Sequence, residues 1–227
     1  EYNAGQFEKD AIKRIEELFE NHDKLILVGG SGLYINAICD GLDYIPQIDS
    51  NIRNRIKTDY TEKGLNWLQK EVKDKDPLYF KTVDRKNPQR LMRALEVFEN
   101  HGKELSSYRT YKNKKRSFET IKIGLSIERS LLYKKINNRV DIMMKKGLLE
   151  EVKGLIKYQE KNALQTVGYK ELFSYLQKQY TLDDATELIK RNTRRFAKRQ
   201  ITWFKKDKNI KWFPAKEIES IKRFIEQ

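Results

Sequence analysis

Cysteine, proline and histidine are scarce in this 227-residue chain: Cys39 stands alone, beside four prolines and two histidines. A single cysteine excludes an internal disulfide framework and a cysteine-based zinc site. Cys39 lies inside an apolar helical stretch and reads as core filling. His22 and His101 sit apart, next to helix-end signals, and read as solvent-side or capping residues rather than ligands. No apolar run reaches the length of a membrane-spanning helix, and Glu1-Tyr2-Asn3-Ala4-Gly5 has no signal-peptide pattern. Acidic residues are in deficit too: 33 Asp and Glu against 47 Lys and Arg leave a formal charge of +14. Such an excess favours a polyanionic partner, with nucleic acid ahead of a membrane surface.

Among what is present, "KLILVGGSGLYINAICDGL" (24–42) passes from an apolar run through glycines into a second apolar run. Leu25 to Val28 is short, aliphatic and flanked by Lys24 and Gly29, the pattern of a buried strand in an α/β sheet. Leu33, Ala37, Ile38 and Leu42 recur at helical spacing. The loop Gly29-Gly30-Ser31-Gly32 would then lead into a helix start, where free N–H groups favour an anion. The alternative is that the glycines only let the chain turn tightly. No Lys-Ser/Thr follows the loop, so it is not a Walker A loop.

Helix, strand, loop and helix is α/β grammar, opened by an amphipathic helix carrying Phe7, Ala11, Ile12, Ile15, Leu18 and Phe19. After Pro46 the texture changes to short charged helices. Asp49 caps one bearing Ile52 and Ile56, Gly64 breaks before Leu65 to Val72, and Asp76-Pro77 opens the next. Asn87-Pro88 pairs an N-cap with proline at the first helical position and starts a helix through Phe98 that stops at His101-Gly102. These elements read as a helical insertion over 47–117, with a core built from 1–46 and 118–227. A basic connector, Ser106 to Ser117, returns the chain to that core. Ile121, Ile123, Leu125 and Ile127 alternate as a strand does. Helices follow over Leu131 to Lys146, closed by Gly147, then Leu148 to Tyr158, Tyr169 to Lys178, and Leu182 to about Lys206, the last opened by a Thr181/Asp184 capping box.

Three groups of residues carry candidate chemistry. On the long C-terminal helix, Lys190, Arg194 and Lys198 form one i, i+4 row and Arg191, Arg195 and Arg199 the next. Stacked like charges repel, by a few tenths of ~1 kcal/mol per pair, so the rows favour phosphate binding over a merely solvated face. Trp203 and Phe204 read as packing residues. In "NPQRLMRALEVF", Leu91, Ala94, Leu95 and Phe98 face inward and leave Gln89, Arg90 and Arg93 near a helix N-terminus. Arginine gains nothing from the dipole at that end, so either RNA or a salt bridge to Glu96 or the insertion accounts for them. Arg139 falls on the apolar stripe of Leu132, Ile136 and Met143. An arginine among buried positions requires a partner, either a buried salt bridge or an anion.

Taken together, "YNAGQFEKDA", "LVGGSGLYINAICDGLDYIP", "NPQRLMRALEVF", "LQTVGYKEL" and "TRRFAKRQITWF", in that order over essentially the whole chain, resemble the tRNA dimethylallyltransferase (tRNA isopentenyltransferase) family. The resemblance implies an α/β fold with a P-loop-kinase-like core, incomplete here because the Walker A loop is absent, and a helical insertion domain. It implies transfer of a dimethylallyl group from dimethylallyl diphosphate to N6 of adenosine 37 beside the tRNA anticodon. Gly29, Gly30, Ser31 and Gly32 would line the reaction channel, with Ser31 in place of the usual Thr. Serine keeps the hydroxyl. Asn87 replaces the usual Asp, and still caps a helix.

Residues matched to tRNA contacts are Ser31, Arg53, Gln89, Arg90, Leu91, Met92 and Arg93, then Gln165, Thr166, Val167, Gly168, Tyr169 and Lys170, with Lys198 to Lys205. Arg194, Arg195, Lys198, Arg199 and Gln200 on the long helix join that set. Ser31 and Arg139 are the catalytic candidates, Arg139 toward the diphosphate. The family's Walker A loop and general-base Asp would precede Glu1. The expectation is therefore an N-terminally truncated, inactive chain that holds no metal itself, with Mg²⁺ bound through the upstream segment and the diphosphate. The expected setting is a cytoplasmic monomer acting on the anticodon stem-loop, away from membranes. The alternatives are a non-catalytic RNA-binding module and an adenylate isopentenyltransferase, which takes a free nucleotide and lacks a reason for the basic stripe.

Overall fold

The computed structural model describes residues 2–110 and 113–226. Residues 111 and 112 of the basic connector lie outside them. The chain divides into two compact units, residues 1–29 with 33–117 and residues 30–32 with 118–227.

In the first unit Asn3 caps α1 (Ala4–Phe19), its Oδ1 accepting from the Gly5 and Gln6 N–H groups at 3.0 Å. Helix α1 turns Glu8 inward. This buried carboxylate accepts from Lys114 Nζ and Arg116 Nη2 at 2.9 Å and from the Leu42 N–H at 3.1 Å. Burial pushes its pKa up, but the hydrogen bonds from Lys114, Arg116 and Leu42 outweigh that cost and hold it below the ordinary carboxylate value. Arg116 also donates to the carbonyls of Ala37 (2.6 Å) and Ile38 (2.8 Å). It thereby satisfies late carbonyls of α2 (Gly32–Cys39), which the helix itself leaves open.

The rest of this unit is helical. Asp49 caps α3 (Ser50–Lys75), which kinks at Gly64 where φ is +75°. Asp76 caps α4 (Pro77–Thr82) by accepting from the Tyr79 N–H at 3.0 Å, while its other oxygen accepts from the Ser106 N–H at 2.9 Å. Asn87 and Pro88 open α5 (Pro88–His101), which ends at Gly102 with φ +64°. A single turn, α6 (Leu105–Tyr108), follows. Leu68, Val72, Leu91, Leu95, Val97 and Leu105 form the centre of the core.

The buried strand expected at Leu25 to Val28 does not form. The run takes no strand pairing, and Ile26 and Val28 are 90% and 87% exposed. A strand exists through its ladder partners, and the two strands among the described residues pair only with each other. These are β1 (Ile123–Ser126) and β2 (Lys211–Pro214), parallel, with Ile123 opposite Lys211 and Leu125 opposite Phe213.

They belong to the second unit. Glu128 caps α7 (Arg129–Lys145), and Gly147, at φ +94°, leads into α8 (Leu148–Gly154). Helix α8 is shorter than the periodicity predicts. Gly154 weakens the helix there, and the chain continues as 3-10 turns at Ile156–Tyr158 and Asn162–Leu164. Helix α9 (Tyr169–Leu176) precedes α10 (Leu182–Phe204), whose Thr181/Asp184 capping box closes in both directions. Strand β2 and α11 (Ile218–Ile225) complete the unit. Val140, Val152, Leu172, Phe173, Ala185 and Ile189 build its core.

Candidate functional site

Helix α5 places its side chains by a 3.6-residue period, and this divides the segment Gln89 to Arg93. Gln89 and Arg90 are exposed, whereas Leu91 and Met92 are 0% and 7% exposed and belong to the core. Of the five residues expected to contact tRNA, the side chains of Leu91 and Met92 thus pack inward. Arg93 is half-exposed, and its Nη1 lies 3.4 Å from Glu96 Oε2 one turn on. Arg53 of α3 reaches the same oxygen at 3.9 Å. Glu96, itself buried, thus stands between two arginines. Coulomb attraction of partly exposed pairs is screened, so this contact orients the guanidinium groups more than it stabilises the fold.

In the second unit α10 sorts its two basic rows by environment. Lys190 is half-buried to the side, 2.7 Å from Asp141 and 2.8 Å from Glu187; the hydrogen bonds it donates, first to Asp141 and then to Glu187, raise its pKa. Arg194 Nη1 donates to Asn137 Oδ1 at 2.6 Å. These two hold α10 against α7. Arg191, Arg195, Lys198 and Arg199 are exposed and have no acidic partner among the described residues, Arg199 only lying over the Phe196 ring. These four cations form a free basic face on α10.

The segment Gln165 to Lys170 joins the same helix through a carboxylate the sequence reading passed over. Glu171 is buried; its Oε2 accepts from the Gly168 N–H at 2.8 Å and its Oε1 from Asn192 Nδ2 of α10 at 2.7 Å. Gly168 has φ +106°, a conformation a side chain would strain. Glutamate at the third helical position was the available signal. Gln165 donates to the Gln159 carbonyl at 2.6 Å, and Tyr169 OH donates to Glu151. Gln165, Thr166, Val167 and Lys170 stay exposed.

Arg139 is not on a buried stripe. The inward face of α7 runs through Leu132, Ile136, Val140 and Met143, and Arg139, turned about 100° from Val140, is exposed with no ion-pair partner among the described residues. Exposure removes the argument from burial and leaves a guanidinium free to meet an anion. Ser31 is likewise exposed, and its hydroxyl has no partner among the described residues. Gly30 to Gly32 group with the second unit, Gly29 with the first. No cluster of three or more His, Cys, Asp or Glu able to hold a metal ion occurs among the described residues. No helix there is long and apolar enough to cross a membrane.

This fold has matches among solved structures. The tRNA isopentenylpyrophosphate transferase of Bacillus halodurans matches over 99% of this chain and 73% of its own, with 33% identity and a TM-score of 0.65. A eukaryotic dimethylallyltransferase described as acting on tRNA shares the fold at 22% identity, with a TM-score of 0.76 over 99% of this chain and 61% of its own. The fold is therefore that of the tRNA isopentenyltransferases, P-loop-kinase-like in class. The family model of the IPP transferases matches residues 1–207. A tRNA dimethylallyltransferase of Christiangramia forsetii is 50% identical over 216 residues, covering 95% of this chain and 72% of that protein. The chain belongs to the IPP transferase family, and its class is that of a prenyl-transferring enzyme.

Proposed function

We propose that this protein transfers the dimethylallyl group of dimethylallyl diphosphate to N6 of adenosine 37 in the tRNA anticodon stem-loop. The observation that carries the reading is the 50% identity to a tRNA dimethylallyltransferase. The free basic face of Arg191, Arg195, Lys198 and Arg199 on α10 agrees with an RNA substrate. In the reaction the N6–C1 bond forms, the C1–O bond to diphosphate breaks and the amine loses a proton to a base. An exocyclic adenine amine is a weak nucleophile, so alignment and neutralisation of the leaving group provide most of the acceleration.

The base has to leave its stack to be reached. The α10 face holds the RNA backbone without reading sequence, while Gln89, Arg90, Arg93, Arg53 and the 165–170 segment supply shape-dependent contacts. Ser31 presents a free hydroxyl toward the amine, and Arg139 a free guanidinium toward the diphosphate. The described residues do not form an all-protein metal site; Mg²⁺, when bound, neutralises diphosphate charge, and magnesium commonly relies on substrate phosphates in this way. The protein acts as a monomer in the cytoplasm, where its substrate is.

The test is nucleoside mass spectrometry of unmodified tRNA after incubation with dimethylallyl diphosphate, Mg²⁺ and the protein expressed from its complete reading frame. Isopentenyladenosine at position 37 is the expected product. Tight tRNA binding with no such product would leave an RNA-binding module instead.

A further inference from the structure

Helix α10 carries two side chains that meet the glycine loop of its own unit. Gln200 Nε2 donates to the Gly30 carbonyl at 2.7 Å. A Cβ placed at Gly30 would overlap that amide, and one placed at Gly32 would overlap the Trp203 indole. Neither glycine has the positive φ that would require glycine for backbone reasons. Close approach of α10 is what a side chain would meet at both positions, the movable amide end of Gln200 at Gly30 and the bulkier Trp203 ring at Gly32. Ser31 sits between the two contacts with its own side chain exposed.

We propose that Gln200 and Trp203 are positioning residues: they clamp Gly30 and Gly32 and thereby set where the Ser31 hydroxyl stands. Loop placement then depends on the same helix whose exposed face carries Arg195, Lys198 and Arg199, so RNA seated on that face and the reacting loop share one rigid element. The inference rests on the proposed prenyl transfer for its consequence, though not for its geometry. It also changes the role of Gln200, whose amide is committed to Gly30 rather than to tRNA.

The experiment measures single-turnover prenyl transfer, tRNA Kd and hydrogen exchange of the 29–33 segment in the protein from its complete reading frame. Gly32→Ala slows transfer by about tenfold or more, because a misplaced loop loses alignment, with tRNA Kd unchanged. In a Trp203→Ala background the same substitution costs less than about twofold, since the overlapping ring is gone. Gln200→Ala, which keeps the loop open and tests the clamp without overlap, slows transfer at saturating tRNA by about threefold to tenfold and leaves Kd within about twofold. Exchange in 29–33 rises in Trp203→Ala.

Equal penalties for Gly32→Ala in both backgrounds overturn the clamp, as does unchanged exchange. So does a Gln200→Ala variant that weakens tRNA binding while transfer at saturation keeps its rate. If the wild-type protein transfers nothing, the functional reading fails, and the exchange result alone decides whether α10 holds the loop.

Discussion

The arginines of α5 and those of α10 occupy similar amphipathic helices and meet opposite fates. On α5, Arg93 shares the buried Glu96 with Arg53 of α3. On α10, Arg195 and Arg199 have no acidic partner among the described residues, while Lys190 one face over is fully paired. Held guanidinium groups have little freedom to rearrange and suit contacts of fixed geometry. Free ones tolerate many backbone positions and suit phosphates. One surface is thus built for orientation and the other for charge.

The largest effect expected of any change to this comparison is at Leu91. Deleting its buried side chain in Leu91→Ala removes about 3 kcal/mol of unfolding free energy, measured by denaturant titration, and leaves tRNA affinity of the folded protein unaltered. A loss of affinity without loss of stability would give the Leu91 side chain a direct part in RNA contact. Next comes the free face. Arg195→Ala, Lys198→Ala and Arg199→Ala together flatten the slope of log K against log salt by about 2 and weaken tRNA binding by about 2 kcal/mol at low salt. An unchanged slope in filter binding would make this face ordinary surface.

Glu96→Gln sharpens the contrast from the other side. It releases Arg93, and the Glu96 contact of Arg53, at a stability cost of about 1 kcal/mol, and it weakens tRNA binding while the salt slope stays constant or steepens. A slope that flattens instead would mean the held arginines act as simple charges. The smallest effect is at Glu128, the cap of α7. Hydrogen bonds from the Ser130 hydroxyl first, then from the Ser130 and Leu131 N–H groups, depress its pKa from 4.5 to about 2. A depressed carboxylate contributes stability above its unfolded pKa and loses it as pH falls. The α7 cap therefore weakens between pH 4.5 and about 2, and Glu128→Gln removes that part of the acid dependence of helicity. Identical acid profiles for the two proteins would contradict the capping role.

The helix ends were legible because each rests on neighbours in sequence. Asp49, Asp76, Asn87-Pro88, Gly102, Gly147 and the Thr181/Asp184 box all cap or close helices where their spacing predicts. Residues whose role depends on distant partners were not legible. Leu25 to Val28 has strand composition and no ladder partner. Strand β2 and α11 gave too short a periodic signal to be picked out, and β2 exists only through β1, some 88 positions earlier in register. Arg139 was misread because an apolar stripe drifts by about 100° per residue, so one position separates burial from exposure.

Sequence alone therefore determined where the helices begin and end, the basic character of α10 and the family to which the chain belongs, since all three rest on local patterns and ordered motifs. Tertiary structure alone decided that Leu91 and Met92 are core, that Glu96 gathers two arginines, that Lys190 and Arg194 are engaged while Arg195 and Arg199 are free, and that Gln200 and Trp203 press on the glycine loop. The physical reason is reach. A cap bonds within three residues, whereas Gln200 meets Gly30 across 170 positions of chain, and that encounter exists only once the helix has packed.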